Sequence, residues 1–140
     1  MTTLDGNEAR RRFAAGQVAR MATVTPEGRP HLVPIVFALD GDAILSAVDT
    51  KPKRSPELRR LRNIEANPRV TVLVDHYEDD WNAIWWARAD GIASVHESGS
   101  VRERGIELLA HKYEQYGDIP ESLGRLVRVE VERWSGWAYA

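Results

Sequence analysis

The sequence predicts a small, mainly β domain of the α+β type: an antiparallel six-stranded barrel with peripheral helices, filling residues 1–140 as one unit. Three observations lead there. Six runs of β-branched and apolar residues recur along the chain, most of them joined by short turns. Only three stretches carry helical spacing, too few to alternate with six strands in a parallel sheet. No glycine-rich turn leads from a strand into a helix, which excludes a dinucleotide-binding fingerprint and a phosphate-binding P-loop.

Each element has a local reason. Asp5, with Glu8 three residues on, is a capping-box start for a first helix that carries Phe13 on its apolar side and stops at Gly16. Residues 18–25 and 31–39 are strands, linked by Pro26-Glu27-Gly28-Arg29, where proline presets φ and glycine accepts φ > 0. The turn Asp40-Gly41-Asp42 leads into a third strand, 43–48, so that neighbours in sequence form a three-strand meander. Ser55 as N-cap and Pro56 at the first helical position open a second helix. Leu58, Leu61 and Ile64 line its apolar side, and Asn67-Pro68 ends it. Strands follow at 69–76 and 84–95, the latter with Gly91 marking a bulge or bend. Ser100 and Glu103 start a third helix that runs to about Tyr116 and closes at Gly117. Residues 125–132 alternate Leu126, Val129 and Val131 with charges, a half-buried strand, and a tail follows.

Composition narrows the function. Hydrophobic residues make up 43% and charged residues 29%, which excludes a disordered or low-complexity chain. Nineteen basic against 21 acidic residues give a net charge of −2, which argues against nucleic acid as the partner. The absence of cysteine excludes disulfides, thiolate metal sites and cysteine nucleophiles, and makes the reducing cytoplasm the expected location. No apolar run approaches the roughly 20 residues of a membrane helix, and the N-terminus has no basic-then-apolar signal pattern. A soluble protein without a membrane partner is expected.

Chemistry concentrates in residues 49–62, with six basic residues against two acids. The segment begins where a strand ends and a helix starts. Exposed N–H groups of that helix N-terminus, the Lys51 and Lys53 ammoniums, and the Thr50 and Ser55 hydroxyls together make an anion cradle suited to a phosphate. A solvated basic helix face is the competing explanation. Five tryptophans are many for this length: Trp81, Trp85 and Trp86 in one cluster, Trp134 and Trp137 near the C-terminus. They suit core and interface packing or ring stacking. The four histidines lack metal-ligand spacing, and no serine sits in a nucleophile elbow, so neither a metal site nor a hydrolase triad is supported. His76 and Tyr77, at a strand end, remain as candidate proton donors. The scarcity of paired acid–base groups and nucleophiles points to chemistry carried by a bound cofactor.

Three passages resemble the pyridoxamine 5′-phosphate oxidase-like proteins. These are Val18 through Val24 with the Pro26-Glu27-Gly28-Arg29-Pro30 turn and the strand from His31 to Phe37; the basic segment after the third strand; and Leu61 through Tyr77, which contains Asn67-Pro68-Arg69-Val70. The stretch from Glu78 through Trp85 and Trp86 to Gly91 is similar to the actinobacterial branch that uses the deazaflavin coenzyme F420. The resemblance implies an FMN-binding-like split β-barrel acting as a homodimer, with two cofactor sites at the subunit interface. By position it assigns the cofactor phosphate to Thr50, Lys51, Lys53 and Arg54. The ring falls to Pro34, Ile35 and Val36 on one side and to Ser46, Ala47 and Val48 on the other. Trp85, Trp86 and Trp137 are implied contacts from the partner subunit. The arginines Arg59, Arg60 and Arg62 would meet the polyanionic tail of F420, each exposed contact adding about 0–1 kcal/mol. The implied activity is hydride transfer between reduced F420 and an unsaturated organic small molecule. An FMN-dependent oxidase or reductase on the same fold, or a non-catalytic F420 carrier, remains an alternative.

Overall fold

Helix α1 (Gly6–Ala14) starts as its sequence dictates: the Asp5 carboxylate accepts from the Glu8 N–H at 2.8 Å, satisfying a donor that the first turn leaves free. The reciprocal half of the capping box is absent. The Glu8 carboxylate turns instead to Arg11 and Arg12, accepting from their Nε atoms at 2.9 and 2.7 Å. In this computed structural model, which describes residues 1–49, 56–114 and 123–140, two further helices follow. They are α2 (Pro56–Ala66), ended by Asn67-Pro68 as the sequence predicts, and α3 (Ser100–Lys112). Helix α3 stops earlier than expected, because Tyr113 adopts an extended conformation. Its N-cap is Gly99, at φ 96°, and not Ser100.

Eight strands are described, two more than the sequence predicts: β1 (Thr2–Leu4), β2 (Ala19–Val24), β3 (Pro30–Ile35), β4 (Ala38–Asp40), β5 (Ala43–Asp49), β6 (Arg69–His76), β7 (Trp85–His96) and β8 (Leu123–Ala138). Every pairing is antiparallel, in the order β3-β2-β6-β7-β8-β5-β4, with β1 added to β8. The predicted meander is corrected here. Its second strand breaks at Val36 and Phe37 into β3, which pairs with β2, and β4, which pairs with β5 at the far end of the sheet. That break closes the fold. Three Cα steps from Ile35 to Ala38 span at most about 11 Å, so the two ends of the sheet must curl until they nearly meet. An antiparallel barrel with a seam between β3 and β4 results, a split barrel with three helices against it.

The predicted tail is likewise corrected. Trp134-Ser135-Gly136-Trp137 continues β8, paired with β7 on one side and, from Gly136 on, with β1 on the other. Alternation sends Met21, Val72, Ala87, Ala89 and Val129 into the barrel, where all are essentially buried. Phe13 of α1 closes one end of this core, its ring 5.0 Å from Phe37 and 5.1 Å from Trp134, both edge-on. Burial of one such phenyl side chain contributes about 1.5–3 kcal/mol. A second cluster, Leu109 and Tyr113 against Ala38, Leu45 and Leu126, seats α3 on the outside of β4, β5 and β8.

Candidate functional site

The seam is where the ring residues named from sequence converge. Ser46 donates its hydroxyl proton to the Val36 carbonyl at 2.9 Å, tying the end of β3 to the middle of β5. The side chains of Ile35, Ser46 and Val48 are buried in the barrel, whereas Pro34 is exposed and Val36 and Ala47 are half-buried. Ile35, Ser46 and Val48 therefore offer a ligand their backbone only. The next residue, Phe37, is pinned from outside by Tyr113. The Phe37 N–H donates to the Tyr113 oxygen at 3.2 Å, and that hydroxyl lies 3.0 Å from both the Gln17 and Phe37 carbonyls.

Sequence reasoning missed Tyr113 and its neighbour Lys112, whose Nζ stands 3.7 Å from the centre of the Phe37 ring and 3.5 Å from the Ala14 carbonyl. Burial pushes the Lys112 ammonium down to about 8. The ring face and the carbonyl favour the charged form, and desolvation outweighs them. Aromatic and basic residues near the end of the predicted helix are the available signal, but the sequence pattern carries that helix past them, whereas α3 ends at Lys112.

The phosphate residues Thr50, Lys51, Lys53 and Arg54 lie outside the described residues. On either side of them, β5 runs to Asp49 and α2 begins at Pro56. Along α2, Arg59 and Arg62 are exposed. Arg60 is corrected: at 4% exposure it belongs to the interior.

His76 and Tyr77 end β6 on the same side of the barrel. Arg20 pairs with both Pro34 and Leu73, and β3 and β6 run in the same direction, so Pro34 and Leu73 stand two strands apart, about 10 Å, with His76 three residues further along β6. His76 Nε2 is 2.6 Å from Glu78 Oε1, and its ring stacks on Trp85 at 6.4 Å. Tyr77 is 64% exposed.

The tryptophans stand elsewhere in the chain. Trp85 packs against the core with the Arg12 guanidinium 5.8 Å over its ring. Trp86 and Trp137 are register partners on the outer face of β7 and β8. The row Pro34–Arg20–Leu73–Arg88–Ser135 sets the strand of Trp86 three strands from Pro34 and that of Trp137 four, about 14 and 19 Å around the barrel. One copy of the chain does not bring Trp137 to the seam.

A ring-shaped cofactor fits the seam on one observation. β3 ends the sheet, so its second edge has no strand partner among the described residues and keeps backbone groups free for the polar rim of a ring. Among the described residues no cluster of His, Asp and Glu could hold a metal ion, and no helix is long and apolar enough to cross a membrane.

Barrel, seam and flanking helices define the split-barrel class of flavin-binding-like folds. The model of the pyridoxamine 5′-phosphate oxidase family matches residues 6–138, and the chain belongs to that family. No curated protein matches its sequence. Among solved structures, the conserved hypothetical protein Rv2991 from Mycobacterium tuberculosis superposes with a TM-score of 0.77 at 18% identity, covering 96% of this chain and 85% of that one. The heme binding protein from Mycobacterium smegmatis gives 0.76 at 20%, covering 96% of this chain and 55% of that one. The FAD-binding protein from Mesorhizobium loti gives 0.66 at 21%, covering 96% and 95%. At such identities the likeness is one of fold.

Proposed function

We propose that this chain is an F420-dependent oxidoreductase acting on an unsaturated organic small molecule, as a homodimer with a cofactor site at each end of the interface. The observation that carries the reading is the 2.9 Å bond from Ser46 to the Val36 carbonyl. It joins the two ring segments at the seam, and β5 ends at Asp49, next in sequence to the basic segment. When bound, the reduced deazaflavin supplies a hydride to an electron-poor carbon of the substrate.

The chain's own residues do the rest. Thr50, Lys51, Lys53 and Arg54 hold the phosphate, and Arg59 and Arg62 extend the cationic track toward a longer acidic tail. Backbone groups of Pro34, Ile35 and Val36 fix the rim of the ring, and the half-buried Val36 and Ala47 help exclude water. His76, held by Glu78, and the exposed Tyr77, two strands from β3 on β6 and just past its end, serve as proton donors to the reduced product. Trp137 reaches the ring from the second copy.

FMN is the second reading. The FAD-binding structural neighbour favours it, since it joins a flavin to this fold. Spectroscopic titration of the purified protein with F420, FMN and heme in parallel separates the readings. Saturable binding of F420 at micromolar or lower concentration, with weaker FMN, is expected. Tight FMN or heme binding with no F420 response would overturn the proposal.

A further inference from the structure

One peptide unit crosses the seam, and two side chains hold it. Val36 and Phe37 lie between β3 and β4, so no strand ladder orders the bond that joins them. That unit carries the Val36 carbonyl and the Phe37 N–H. Ser46 of β5 donates to the carbonyl at 2.9 Å, and the Tyr113 hydroxyl oxygen accepts from the buried N–H at 3.2 Å. Turning the peptide plane would therefore break a bond at one end or the other. A buried N–H freed in this way has no water to turn to.

Tyr113 reaches this point from the end of α3, in a buried cluster with Ala38, Leu45, Leu109 and Leu126. Its oxygen also lies 3.0 Å from the Gln17 carbonyl and 3.0 Å from the Phe37 carbonyl, and its single proton goes to one of these two acceptors. One hydroxyl thus joins the chain entering β2, the seam and α3. The Phe37 side chain is fixed as well, edge-on to Phe13 at 5.0 Å and with Lys112 Nζ 3.7 Å from its ring centre.

We propose that Tyr113 is a positioning residue of the ring site. Through the Phe37 N–H it sets the tilt of the Val36–Phe37 peptide, and with it the direction from which the backbone of Ile35 and Val36 meets the cofactor. The inference rests on the cofactor reading of the seam and adds to it a residue of the α3 end that acts only through the Phe37 backbone. The coupling runs both ways: a ring seated on the Val36 backbone steadies the same peptide, so loading slows hydrogen exchange at the Phe37 N–H.

The test compares wild type, Tyr113→Phe and Leu109→Val in absorbance titrations with F420 and with FMN, at a temperature where circular dichroism shows all three folded. Tyr113→Phe keeps the packed ring and removes the hydroxyl; Leu109→Val loosens the same cluster and keeps it. Tyr113→Phe should bind whichever cofactor the wild type binds about three- to tenfold more weakly, with a shifted absorption band in the bound state. Leu109→Val should match the wild type in both. Without cofactor, the Phe37 N–H should exchange at least about tenfold faster in Tyr113→Phe, and in the wild type the cofactor should slow it. Equal affinity with an unshifted band in Tyr113→Phe, the same losses in Leu109→Val, or wild-type exchange at Phe37 that ignores the cofactor would each overturn the role of Tyr113 and leave the cofactor reading standing. A wild type that binds neither F420 nor FMN would overturn that reading, and this proposal with it.

Discussion

Two side chains carry separable consequences. Lys51 is assigned a charge-assisted contact to the cofactor phosphate, so Lys51→Ala should weaken cofactor binding by about 1–3 kcal/mol with the fold intact. Unchanged affinity for both F420 and FMN, read by fluorescence or absorbance titration, would remove the phosphate site from this segment. Lys112 makes a prediction about pH. Its folded pKa, about 8, lies below the ordinary lysine value of 10.5, so between the two the unfolded chain binds a proton that the native protein has lost. Stability contributed by this group must therefore rise as pH climbs through that window, and be least below it. Urea midpoints measured at pH 7 and pH 10 should show this gain in the wild type, and Lys112→Met should flatten it. A wild-type midpoint that falls more steeply than the variant's over the same range would contradict the buried placement over Phe37.

At the scale of elements, what could be read from the sequence depended on how local the cause is. Asp5 caps α1, Gly28 takes φ 86° in its turn, and Asn67-Pro68 ends α2, because each is decided within a few residues. Gly91 was legible as a bulge, and the register shift falls between Asp90 and Gly91. The splitting of the second strand was not legible. Nothing in residues 31–39 says that the chain must leave β2 at Ile35 and join β5 at Ala38, since closure of the barrel is decided by the whole sheet. The C-terminal Trp-Ser-Gly-Trp read as a tail because a strand on both sides of it, β7 and β1, comes from distant sequence. The same distance explains the site. The residues that the resemblance assigns to the ring meet at the seam, whereas Tyr113, which pins Phe37 from the end of α3 across 76 residues, was not legible. Gly91 also yields a test. A Cβ there would collide with the Glu130 carbonyl and stand 2.9 Å from Val129 Cγ1. Gly91→Ala should therefore cost about 1–3 kcal/mol in chemical denaturation, because a strand backbone cannot withdraw as a flexible side chain can. A change within a few tenths of that scale would mean the bulge has room the structure does not show.

For the whole molecule, the outer face of the barrel decides whether one copy suffices. Across β3, β2 and β6 this face carries Leu32, exposed at 65%, beside exposed Pro30 and Pro34 and half-buried Ala22 and Leu73, an apolar strip crossed by the Arg20–Asp75 ion pair. The same face leaves Trp137 about 19 Å from the seam within one copy. A second copy laid on this strip would bury Leu32 and could bring its own Trp137 across. Leu32→Asp should then convert a dimer to a monomer in analytical ultracentrifugation, since a carboxylate on a buried interface is left unpaired. Because the residue is exposed in the isolated fold, the variant's circular dichroism should remain that of the wild type. Cofactor affinity decides the rest. If the site needs both copies, affinity in Leu32→Asp falls in step with the loss of dimer and recovers at protein concentrations that restore it. A monomer that binds F420 as tightly as the wild type would place the whole site on one chain and leave Trp137 outside it.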